Sequence, residues 1–199
     1  MNDKKQVTPS QHIESWKLAV KLLVGSLTIF FLSGIVGYIV IQQQHITLRY
    51  ANKFSVPISL WLSTAALIVV SYAMQRATSV VRREQLPQLK RFMLMSIAGA
   101  VVFSVFQLVG MIDVLQDYLK VKASESQGMG GIAFALIATH ALHVGFGLLW
   151  LAIVARKVYS QSYDHEYHLG LTLCTYYWHF LDFVWVVMFF VFLGTNFVP

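Results

Sequence analysis

The sequence is poor in charge and nearly free of cysteine. Charged residues make up 12% of its 199 residues and hydrophobic residues 57%, against about a quarter charged and under half apolar in soluble domains. That balance excludes an ordinary water-soluble domain and points to lipid as the solvent. The one cysteine, Cys174, lies inside an apolar run. It rules out an internal disulfide and any Cys-x-x-Cys motif for a cluster or a c-type heme. There is no glycine-rich phosphate loop, no nucleophile elbow and no thiolate pair, so nothing reads as a self-contained enzyme. Internal repeats, low-complexity tracts and long linkers are absent too. The first apolar run is too long for the core of a cleavable signal and is read as a retained span.

Acidic residues are the scarcest feature: nine Asp and Glu against fifteen Lys and Arg, a net charge of +6. The excess could suggest nucleic acid, but the basic residues sit between apolar runs and not along a stripe. They are a topology signal, and no nucleic-acid partner is expected.

Five runs are long enough to cross a bilayer, which takes about 20 apolar residues. They cover residues 18–41, 54–74, 92–112, 132–155 and 169–193. Pro57 falls in the first turn of the second, where a missing N–H costs little. In lipid each run must satisfy its own backbone, so helices are required. The expectation is an all-α integral membrane bundle of five transmembrane helices, one domain over residues 1–199. Lys4, Lys5, Lys17, Lys21, Arg76, Arg82, Arg83, Lys90, Arg91, Arg156 and Lys157 fall on one side of such a bundle. Arg49, Lys53, Lys120 and Lys122 fall on the other. The positive-inside rule then places the N-terminus inside and the C-terminus outside. Trp16 suits an interfacial anchor. Small residues at packing spacing, Ser33 with Gly37 and Ser96 with Ala100 and Ser104, suggest close helix approaches.

Asp182 is the only acid inside a run, and His179 lies one turn before it. His140 and His143 lie one turn apart in the fourth run. An ionisable group at that depth costs about 3 kcal/mol on insertion scales and normally faces the bundle interior or a partner. Three readings of His140, His143, His179 and Asp182 stand side by side. They could hold zinc or iron, relay protons, or lock helices together as a structural polar network, the preferred reading. Their matching depths make a His143–Asp182 contact geometrically possible. His165 and His168, with Asp164 and Glu166, read as a solvated loop, and Asp113 and Asp117 as a polar continuation of the third helix.

Two segments carry a family resemblance. Thr139-His140-Ala141-Leu142-His143-Val144, followed by Gly145 and Gly147, is similar to one signature of heme-copper oxidase subunit III. Tyr177-Trp178-His179-Phe180-Leu181-Asp182-Phe183-Val184-Trp185 is similar to a second, with a His, an Asp and two Trp inside a span. The resemblance is clear from Ile132 to Leu193 and weaker before. It implies a five-helix, cofactor-free third subunit of a cytochrome c or quinol oxidase in a bacterial inner membrane. Heme and copper would lie in partner subunits. This chain would brace catalytic subunit I, bind phospholipid and support proton uptake, with Trp178, Trp185 and Arg156 at lipid or subunit interfaces. The family's usual polar residues are replaced at Leu27 and Thr172, and Gln107 alone remains of an element in the third helix. A nitric oxide reductase accessory subunit is the related alternative. A stand-alone membrane metalloprotein built on the His/Asp set is the alternative of another class.

Overall fold

The computed structural model describes residues 9–47, 58–83, 85–120, 127–160 and 169–196. They form five helices: α1 Pro9–Thr47, α2 Ile58–Val81, α3 Leu86–Lys120, α4 Gln127–Tyr159 and α5 Leu169–Asn196. All five are long and apolar enough to cross a membrane, and no strand occurs among the described residues. The chain is therefore an all-α, multi-pass membrane protein. Arg49, Lys53, Pro57, Lys122 and the 164–168 cluster lie outside the described residues.

Every helix outlasts its apolar run at one end at least. A polar residue beyond the hydrocarbon can still close i→i+4 bonds, so hydropathy marks the lipid boundary and not the end of the helix. α1 starts at Pro9, where a proline suits the first helical position. α3 continues through Asp113 and Asp117 to Lys120. The connection between the second and third runs is short: α2 runs to Val81, and α3 begins at Leu86 after a turn in which Arg83 N–H and Gln85 N–H both donate to Val80 O.

Helices α2, α3, α4 and α5 pack in a ring, each against its two neighbours, and α1 docks outside it in the groove between α4 and α5. Neighbours in the ring run antiparallel. Trp61 meets Phe189 while Ser71 meets His179 across α2 and α5, and the Tyr159 hydroxyl donates to Lys90 O across α4 and α3. α1 runs antiparallel to α4, with Phe31 against His140 and His143. The starts of α1, α3 and α5 and the ends of α2 and α4 therefore share one end of the bundle, the end that carries the described basic residues other than Lys120.

Packing depends on small residues, though only partly on those expected. Ser96 and Ala100 are fully buried, whereas Ser33 is exposed and nothing would crowd a side chain at Gly37. The tight approaches are elsewhere. A Cβ at Gly110 would run into Leu60 of α2, and one at Gly147 would lie 3.2 Å from Leu181 and 3.4 Å from Trp178 of α5. These positions need glycine because lipid offers no hydrophobic drive, so helices bind by close backbone contact.

Candidate functional site

α5 is the most buried helix, and its polar residues point to two different neighbours. On one side Trp178 and Trp185 enter the core. Both were expected at a lipid or subunit interface, but both are fully buried. An indole can sit in a core only when its N–H finds an acceptor. Trp178 Nε1 donates to Gly147 O at 3.2 Å, and Trp185 Nε1 donates to Thr64 Oγ1 at 3.0 Å. Trp185 thus touches α2 through Thr64, α3 through Phe103 at 5.9 Å and α4 through His140 at 5.3 Å. The third expected interface residue, Arg156, is exposed near the end of α4.

The four predicted polar residues lie at one level but not in one cluster. His140 is fully buried, stacked on Trp185 and edge-on to Phe31, and neither ring nitrogen has a hydrogen-bond partner among the described residues. His143 turns towards α1, its ring 5.5 Å from Phe31 and its Nδ1 2.7 Å from Thr139 O. Since a carbonyl only accepts, Nδ1 carries the proton in that bond.

His179 and Asp182 face α2 instead. Ser71 Oγ lies 2.9 Å from His179 Nδ1, and Asp182 Oδ2 lies 3.9 Å from that same nitrogen. Ser71 also stands beside the carboxyl, yet neither carboxyl oxygen has a hydrogen-bond partner among the described residues. The expected His143–Asp182 contact is absent among the described residues: α5 lies between α1 and α2, so residues at equal depth diverge to opposite flanks. The two halves are joined through backbone and aromatics, with the Tyr177 hydroxyl donating to His143 O at 3.1 Å.

No group of three His, Cys, Asp or Glu among the described residues could hold a metal ion. The four residues thus do not assemble a ligand set for zinc or iron. What the arrangement can do is fix helix positions and keep a carboxyl, an imidazole and a hydroxyl together inside the apolar layer.

Ser71 and Thr64 were not anticipated. They are seven residues apart, two turns of one helix, and a polar pair at that interval in an apolar run is a readable signal of a shared face. Gln107, singled out as the remnant of a third-helix element, is buried, and neither amide atom has a hydrogen-bond partner among the described residues.

The fold and site define a class: a polytopic helical membrane protein with polar residues buried inside its bundle. Comparison with known proteins identifies the family. The family described as cytochrome c oxidase subunit III matches residues 18–195, so the match runs through all five helices, and the chain belongs to that family. Among its relatives, cytochrome bo(3) ubiquinol oxidase subunit 3 of Buchnera aphidicola is 41% identical over 56 residues, 28% of this chain and 29% of that one. The probable quinol oxidase subunit 3 of Staphylococcus saprophyticus is 26% identical over 145 residues, 70% of each chain. Cytochrome c oxidase subunit 3 of Synechocystis is 26% identical over 130 residues, 64% of this chain and 53% of that one. The chain thus spans under a third of the Buchnera relative and about half of the cyanobacterial one.

Proposed function

We propose that this chain is the cofactor-free third subunit of a heme-copper terminal oxidase in a bacterial inner membrane, with its N-terminus in the cytoplasm. It braces catalytic subunit I, while heme and copper reside in the partner subunits, and it binds phospholipid and sustains proton delivery. The observation that carries this reading is the family match through every helix, together with the relatives named as oxidase subunits. The polar layer supports a bracing role. Two Trp N–H bonds and the Ser71–His179 contact tie α5 to α2 and α4. Support of proton uptake would rest on His179 and Asp182, the polar pair nearest the α2–α5 surface. The His179 side chain is 34% exposed and the Asp182 side chain 12%.

Deletion of the gene tests this reading. The account expects less assembled oxidase and lower oxygen uptake by membranes, both restored by the gene in trans. Oxygen uptake and oxidase content unchanged by the deletion would contradict it.

A further inference from the structure

The last two turns of α2 carry a second, unrelated site. Gln75, Thr78, Ser79, Arg82 and Arg83 line a surface recess of about 390 Å³. Gln75, Thr78 and Ser79 lie on one face of the helix, opposite the buried Met74, Ala77, Val80 and Val81, and Arg82 and Arg83 follow in the turn that ends it. The Thr78 and Ser79 hydroxyls both donate to Gln75 O, at 2.8 and 3.0 Å. The free donors of the recess are therefore the guanidinium groups of Arg82 and Arg83 and the Gln75 amide. Among the described residues neither guanidinium has a hydrogen bond or ion pair. Arg76, one face over, is already engaged: its Nε donates to the Tyr72 hydroxyl at 3.1 Å and its guanidinium lies 5.3 Å from that ring's centroid.

Two unengaged guanidinium groups and an amide in a recess match the oxygens of a phosphate group. What lies next to the recess chooses the source of that phosphate. The same outer face continues into the membrane as Trp61, Leu62, Ile68, Val69 and Tyr72, all exposed, Ile68 by 70%. At 1.5 Å per residue the apolar track from Trp61 to Tyr72 is about 16 Å long, roughly half the hydrocarbon layer. The polar recess lies beyond it, from Gln75 through the turn at Arg82 and Arg83. Tyr72 stands at the junction, as aromatic residues do at a headgroup boundary. A free phosphate would use the recess alone, whereas one leaflet of a phospholipid uses both.

We infer that the Gln75–Arg83 recess at the end of α2 is a binding site for an anionic phospholipid, its phosphate held by Arg82 and Arg83 and an acyl chain lying along Leu62–Tyr72. The site rests on the membrane placement of the helix and not on the oxidase reading.

The test uses the full chain in nanodiscs of equimolar phosphatidylcholine and phosphatidylglycerol, with native mass spectrometry of the lipids it retains. The wild type should retain phosphatidylglycerol above its bulk share. R82Q/R83Q should lower the retained phosphatidylglycerol-to-phosphatidylcholine ratio roughly tenfold or more, while K17Q/K21Q, an equal loss of charge near the start of α1 at the same end of the bundle, should change it less than about twofold. R82K/R83K, which keeps the charges, should retain part of it. Equal losses in both glutamine pairs would overturn the site in favour of a diffuse basic surface. Displacement of the lipid by millimolar inorganic phosphate would overturn the lipid assignment in favour of free phosphate. Because all readouts come from the chain itself, failure here leaves the oxidase reading separately testable.

Discussion

The imidazole of His140 lies nearly parallel to the indole of Trp185, centroids 5.3 Å apart and planes 28° from parallel, with both imidazole nitrogens buried and without a hydrogen-bond partner among the described residues. An unsatisfied buried polar group costs about 1–3 kcal/mol, and His140→Phe keeps the stacked ring while removing both nitrogens. Thermal denaturation of the purified chain should show His140→Phe more stable than wild type, whereas His140→Ala, which opens a cavity beside Trp185, should be less stable. A His140→Phe protein that melts earlier would mean that the nitrogens are hydrogen-bonded in the membrane.

Gly147 accepts the Trp178 indole bond on its carbonyl and leaves no room for a branched side chain. Gly147→Val should destabilise the α4–α5 pair by about 1–3 kcal/mol through overpacking. Gly25→Ala, at a position with nothing nearby, should be neutral or slightly stabilising. Equal effects of the two changes on melting temperature would refute the close approach.

Ser71, His179 and Asp182 should behave as a unit, and His143 should not belong to it. A double-mutant cycle of Ser71→Ala and His179→Ala should show coupling of about 0.6 kcal/mol, with about 1.7 as the upper bound seen for membrane pairs. The His143→Ala and Asp182→Ala pair should add within about 0.5 kcal/mol. Strong coupling in the second cycle would bring His143 back to Asp182. Asp182→Asn should preserve oxidase assembly better than Asp182→Leu, because the amide keeps hydrogen-bonding capacity beside Ser71.

The number of spans was legible in the sequence because run length against bilayer thickness fixes it. Helix azimuth was not. In water a buried face differs from an exposed one in hydropathy, but in lipid both are apolar. Trp178 and Trp185 therefore looked like interface residues, and His143 and Asp182, at matching positions along their runs, looked like neighbours. The small-residue reasoning met the same obstacle: Ser96 and Ala100 pack and Ser33 does not, and nothing in their local sequence separates them. Only contacts between helices distinguish the α1 flank of α5 from its α2 flank.

Orientation follows from the basic end of the bundle. A reporter fused after Arg83, in the turn between α2 and α3, and one fused after Ser160, at the end of α4, should both report the cytoplasm. Opposite locations for the two would contradict the antiparallel ring. A shared external location would reverse the orientation while keeping the fold.

The most direct test of the account is purification of the affinity-tagged chain from its native membranes in mild detergent, read by a reduced-minus-oxidised spectrum and by copper analysis of the eluate. The account predicts that heme and copper co-elute with the tagged chain, that both remain with the other subunits when the complex is dissociated, and that the separated chain carries neither. Elution of the chain alone as a monodisperse species, with no heme-bearing partner or with metal of its own, would contradict it.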